Sequence, residues 1–155
     1  MNHATLDQWL GKRIHFIGIA GAGMSGLARI ALSHGLSISG SDSKDSSVVL
    51  ALRTLGAHVQ IGHDAAHLEG VDIVVYSNAI AKSNPEIRRA LELDIPLLTR
   101  AQALAVLMST SKSLAVAGTR GKTTTSSMLT VALQACGTDP SFAIGGTLTA
   151  SGSNA

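Results

Sequence analysis

Ile14-His15-Phe16-Ile17-Gly18-Ile19-Ala20-Gly21-Ala22-Gly23-Met24-Ser25-Gly26 is the stretch that decides the fold. An apolar run of β type, beginning at Arg13, ends on glycine and passes into G-x-G-x-x-G. Met24 to His34 then reads as a helix stopped by Gly35. At the start of such a helix the unpaired backbone N–H groups and the positive end of the macrodipole face outward. Glycine there omits the Cβ that would hold a phosphate away. Asp42, about 20 residues on at the end of the next strand, completes the pattern of a dinucleotide-binding fingerprint.

The same rhythm continues outward. Ser37 to Ser41 reads as the second strand and Ser47 to Leu55 as a helix ended by Gly56. His58 to Ile61 and the apolar Asp72 to Tyr76 read as strands. Asn84-Pro85-Glu86 opens a helix that runs to Leu93, with Asn as cap, Pro at the first helical position and Glu in the first turn. Leu97 to Thr99 is the fifth strand and Ala101 to Met108 the next helix. The alternation predicts an α/β fold: a Rossmann-like parallel sheet with flanking helices and right-handed crossovers.

Ser109-Thr110-Ser111-Lys112-Ser113 is a polar joint, which divides the chain into residues 1–110 and 111–155. Beyond it the pattern restarts with Leu114 to Ala117 as a strand, a second glycine loop, and a helix from Lys122 to Cys136 stopped by Gly137. Phe142 to Ile144 reads as one more strand. This second part is expected to be the first strand, P-loop and helix of an incomplete ATPase domain.

Composition narrows the function classes. With 45% apolar and only 3% aromatic residues in 155, the core is aliphatic. A formal net charge of +2 without a run of Lys or Arg argues against nucleic-acid and membrane surfaces. The lone Cys136 excludes an internal disulfide, Met1 to Lys12 holds no apolar leader core, and no stretch reaches the roughly 18 apolar residues of a membrane span. A cytoplasmic protein is expected.

The first loop leaves its ligand open, because NAD(P), FAD and nucleotide-sugars all carry a pyrophosphate. A glycine turn serving only tight helix–strand packing is the competing explanation. The second loop, Gly118-Thr119-Arg120-Gly121-Lys122-Thr123-Thr124, is a shortened P-loop, since the standard G-x-x-x-x-G-K-[ST] places a glycine where this chain has Val116. Its Lys122 can reach terminal phosphates and its Thr123 hydroxyl can bind Mg2+; a polar turn with a helix cap is the competing explanation. Of the histidines His3, His15, His34, His58, His63 and His67, only His63-x-x-x-His67 has metal-like spacing, and it reads as a surface turn with two solvated rings. Trp9 is expected to staple the first short helix onto the domain, and Met24, Met108 and Met128 to fill gaps in helices.

In this order, Ile14 to Gly18, Gly21 to Gly26, Gly40-Ser41-Asp42, Ser77-Asn78-Ala79-Ile80, Asn84-Pro85-Glu86 and Gly118 to Thr124 resemble the Mur ligases of peptidoglycan precursor synthesis. The resemblance is strongest to the branch that adds the first amino acid. It implies ATP-dependent joining of L-alanine to UDP-N-acetylmuramate through an acyl phosphate. It further implies that Gly18, Gly21, Ala22, Gly23, Met24, Ser25 and Gly26 lie against the diphosphate, with Asp42, Ser77, Asn78, Ala79 and Ile80 shaping the uridine side. ATP would lie on Gly118, Thr119, Arg120, Gly121, Lys122, Thr123 and Thr124. Lys122 and Thr123 would take the catalytic parts, Lys122 neutralising β/γ-phosphate charge and Thr123 coordinating Mg2+.

Two departures qualify the likeness. The family usually has His or Asn where this chain has Arg120. After Lys122 there is no Lys, Arg, His or Glu, and the only carboxylate is Asp139. The expectation is therefore the N-terminal part of such a ligase, binding a UDP-sugar without turnover, whose lysine-bearing segment is prone to self-association. The alternative is the NAD(P)-binding domain of an oxidoreductase or a sensing module.

Overall fold

The computed structural model describes residues 5–149 and 152; His3 and the Ser153–Ala155 tail lie outside the described residues. Five strands, β1 (Arg13–Ile17), β2 (Ser37–Asp42), β3 (His58–Ile61), β4 (Ile73–Tyr76) and β5 (Leu97–Thr99), form one parallel sheet in the order β3-β2-β1-β4-β5. Around it run α1 (Ala22–Ser33), α2 (Ser47–Thr54), α3 (Pro85–Glu92), α4 (Arg100–Met108) and α5 (Lys122–Ala135), with 3-10 turns at Leu6–Trp9 and Ala65–Leu68. The Rossmann-like sheet is the one expected. At α3, Asn84 caps as its sequence demands, its Oδ1 accepting from Glu86 N at 2.9 Å with Pro85 in the first turn.

Strands at the middle of a parallel sheet are covered on both faces, which is why every residue of β1 after Arg13 is buried. Ile14, Phe16, Ile38, Ile73 and Val75 pack on one face against Leu27, Ala28, Val49, Leu52 and Val106 of α1, α2 and α4. Trp9, almost wholly buried, joins that cluster and fastens the leading turn, and Leu6 N donates to Ser109 Oγ at 3.1 Å. On the other face Ile17 and Val74 meet Leu68, Val71, Ile87 and Ala90.

That second face changes character toward β2 and β3. In register with His15 and Ile17 stand Ser39 and Ser41, and beside these His58 and Gln60. The β3–β4 connection is a short 3-10 turn, too small to cover an apolar sheet, so these strands carry polar residues there. His15, Ser41 and Glu86 are nonetheless buried.

Three expectations fail. Leu114–Ala117 and Phe142–Ile144 are not strands. A strand exists by pairing, and among the described residues neither segment has a neighbour to ladder with; Leu114 is exposed. Met128 does not fill a gap, being 68% exposed on α5, a helix that buries only Thr130.

Candidate functional site

Strand order reverses between β1 and β4, so the connections leave toward opposite sides and open a crevice beyond the carboxyl ends of these strands. The crevice measures about 760 Å3. Gly18, Ala20, Gly21, Ala22, Gly23, Met24, Asp42, Lys44, His63, Ser77, Ala79, Ile80, Arg100 and Gly145 are among the residues lining it.

The glycine loop is held by its own backbone. Gly18 N and Ile19 N donate to Ser41 O at 2.8 and 3.0 Å, which ties the loop to the end of β2. Gly18 adopts φ +75°, and a Cβ there would lie 3.2 Å from Ile80 Cδ1, so the Ser77–Ile80 turn closes directly onto the loop. Ile80 N donates to Ser77 O at 2.9 Å to form that turn. Asp42 acts within the loop, its Oδ2 accepting from Ala20 N at 2.9 Å and its Oδ1 from Lys44 N at 3.3 Å. Ser25, Gly26 and Asn78 do not line the crevice; Ser25 and Gly26 face the packed side of α1.

Arg100, at the first position of α4, was not legible as a site residue. Its Cδ and Nη1 lie 3.0 and 3.2 Å from the point where a Gly23 Cβ would sit. The bare Cα of Gly23 thus makes room for a guanidinium against the loop. Nothing in the local sequence around Arg100 announces this, because β5 and α4 reach the loop only through the sheet order.

The second loop turns on Gly118, at φ +157°, and on Gly121, left-handed at φ +77° and capping α5. Lys122 curls back over it, Nζ donating to Gly118 O at 2.7 Å and Thr119 O at 3.4 Å. The ammonium therefore sits within the curve of the loop. Thr119, Arg120 and Thr124 are exposed. The Gly145-Gly146 turn rests on Thr123, with Cβ positions 3.6 Å from its Oγ1 and 3.3 Å from its Cγ2. Gly145 also lines the first crevice, so one turn borders both loops. Among the described residues no group of three or more His, Cys, Asp or Glu is placed to hold a metal, and no helix is long and apolar enough to cross a membrane.

His63 and His67 are not the solvated pair their spacing suggests. Both turn inward onto the fully buried Glu86, Nδ1 of His63 lying 2.8 Å from Oε2 and Nδ1 of His67 2.8 Å from Oε1. His15 Nε2 reaches Oε1 at 3.2 Å, and Ser41 Oγ donates to Oε2 at 2.7 Å. Burial alone would push the Glu86 carboxyl up. Hydrogen bonds from His15, Ser41 and His67, with the charge of His15, outweigh it and hold the group down from 4.5 to about 2. The carboxylate fills the polar stretch between sheet, 3-10 turn and α3 that apolar packing occupies beside it. Glu86 reads in sequence only as a first-turn helix residue; its partners lie up to 71 positions away.

Known proteins resemble this chain over most of its length. The family model described as "Mur ligase family, catalytic domain" matches residues 13–112. A UDP-N-acetylmuramate–L-alanine ligase of Nocardioides sp. is 55% identical over 143 residues, covering 92% of this chain and 32% of its own length. That of Acidothermus cellulolyticus is 55% identical, with 92% and 30% covered. The crystal structure of the UDP-N-acetylmuramate–alanine ligase of Thermotoga maritima superposes with a TM-score of 0.84 at 32% identity, over 92% of this chain and 34% of that one. The chain thus spans about a third of the length of the curated relatives it matches. With a glycine loop at the switch point, a lysine-bearing loop beyond it, and the family model covering well over half of its residues, the chain belongs to the Mur ligase family.

Proposed function

We propose that this chain is the UDP-sugar-binding portion, with the first phosphate loop for ATP, of a cytoplasmic ligase that joins L-alanine to UDP-N-acetylmuramate. The observation that carries the reading is the crevice at the switch point, where the glycine loop and the Arg100 guanidinium face the same space. Backbone N–H groups at the start of α1 would hold the diphosphate from one side and Arg100 from the other. Gly18, Gly21, Ala22 and Gly23 would approach it closely, with Met24 packing beneath. Asp42 and the Ser77 to Ile80 turn, through Ser77, Ala79 and Ile80, would shape the uridine side. The Gly145 turn bordering both loops would direct the sugar end of the ligand toward Thr123.

ATP, with Mg2+, supplies the phosphoryl group that activates the substrate carboxylate. The residues of the second loop fit such a ligand. Gly118 and Gly121 give a curve without side-chain obstruction, and Lys122 already places its ammonium inside that curve, where it would neutralise phosphate charge. Thr123 would offer its hydroxyl to Mg2+. The L-alanine site and the ligation itself are assigned to the roughly two thirds of the relatives' length that this chain does not span. A nicotinamide-binding role would use the same crevice and leave the Gly118–Thr124 loop without a purpose.

Thermal-shift titration tests the reading. UDP-N-acetylmuramate and UDP are expected to raise the melting temperature with concentration, whereas NAD is not. Stabilisation by NAD and not by the uridine ligands would overturn it. Arg100→Ala is expected to weaken UDP binding about 10- to 100-fold, the worth of a charge-assisted contact of about 1.5–3 kcal/mol. Lys122→Ala is expected to leave UDP affinity unchanged, measured by calorimetric titration of both variants.

A further inference from the structure

We propose that Glu86 is a positioning residue for the crevice: it holds the proton of His63 on Nδ1, so that Nε2 presents a lone pair as acceptor to the nucleoside end of the ligand. The inference rests on the UDP-sugar reading of the crevice and deepens it.

An ionised carboxylate only accepts hydrogen bonds. The four polar groups on Glu86 must therefore all donate to it, and above the acid range, where the imidazoles are neutral, this fixes three tautomers. His63 and His67 carry their protons on Nδ1, and His15 on Nε2. His15 Nδ1 is then the acceptor for Ser39 Oγ at 3.0 Å. Ser41 gives its hydroxyl proton to Oε2 and so can accept from His63 Nδ1 at 3.0 Å. Every proton in the cluster is accounted for by one negative charge.

His63 is the member that reaches the crevice. With Nδ1 turned inward, Nε2 is the nitrogen left for a ligand. His63 stands just past β3, beside Asp42 at the end of β2, and in this fold the end of the second strand is where a bound nucleotide's ribose lies. Ribose hydroxyls and the uracil imide N–H can donate, so an acceptor nitrogen at that end has a partner on the nucleoside. Lys44 and Arg100, which also line the crevice, supply the cationic contacts. The division of labour is chemical: cations for the diphosphate, a tautomer-locked imidazole for the nucleoside.

Long-range proton–nitrogen NMR spectra of the 155-residue chain, 15N-labelled at histidine and glycine, test this during titration with UDP. His63 and His67 are expected as Nδ1–H tautomers and His15 as Nε2–H, with UDP shifting the His63 Nε2 resonance. Glu86→Gln keeps the shape but puts an amide in place of one acceptor. Its oxygen stays where His15 and His67 converge, its NH2 meets Ser41 and His63, and His63 switches to the Nε2–H form. UDP affinity is expected to fall about 5- to 10-fold, one hydrogen bond's worth. His63→Ala is expected to lose the same factor, and the double variant no more, because Glu86 acts through His63.

A wild-type His63 protonated on Nε2, or additive losses in the double variant, would overturn the proposal. UDP shifting the glycine-loop resonances without moving His63 overturns the positioning role alone. UDP shifting neither overturns the crevice reading with it. Should Glu86→Gln fail to fold, the wild-type tautomers and His63→Ala decide the matter.

Discussion

Glu86→Ala is expected to destabilise the fold by about 3–5 kcal/mol, the cost of removing one side of a buried charged network. The substitution leaves the Ser41 hydroxyl and the His15 and His67 N–H groups without their acceptor, while His63 keeps only Ser41 Oγ. Each orphan costs about 1–3 kcal/mol, part of which water entering the cavity returns. For a domain stable by about 5–15 kcal/mol this is a large fraction, and urea unfolding midpoints will show it. The same group gives the wild type an acid signature. Because its pKa falls from 4.5 to about 2 in the folded state, the stability it contributes is complete above pH 4.5 and is lost as pH falls toward 2. Unfolding measured across that window should show a loss for wild type that Glu86→Ala does not share.

Gly40→Ala is expected to cost about 3 kcal/mol, the upper end of what overpacking usually does. A Cβ at Gly40 would lie 2.6 Å from Ile19 Cδ1, 2.9 Å from Ile19 Cβ and 2.8 Å from Phe16 O. A side-chain tip alone could move aside; the Phe16 carbonyl belongs to the central strand and cannot. Clearing Phe16 O requires β2 to shift against β1 and clearing Ile19 displaces the start of the glycine loop, so UDP affinity is expected to fall together with the melting temperature. Gly35→Ala is the contrast, with φ +74° but no atom within 4 Å, and should cost only the left-handed backbone penalty of about 1–2 kcal/mol without touching UDP binding. Equal effects of the two variants on UDP affinity would refute the steric account.

Local chemistry made much of the fold legible. β3 and β5 have the bounds expected of them, and α3 starts at Asn84-Pro85-Glu86 because a cap, a fixed φ and a first-turn acid act within one turn of chain. The glycine loop could be read for the same reason: its backbone freedom and its position after a strand are properties of adjacent residues. Leu114–Ala117 shows the limit, since an apolar run becomes a strand only when another strand lies beside it.

By itself the sequence determined the alternation of elements, the aliphatic core and the two loops suited to phosphate, all consequences of period, turn geometry and missing side chains. Only the tertiary structure decided that Arg100 closes over Gly23 and that Glu86 gathers His15, Ser41, His63 and His67. Those meetings depend on strand register and on which face a short 3-10 turn leaves uncovered. No residue type announces them, because a charge finds its partners across space and the pattern along the chain records only its neighbours.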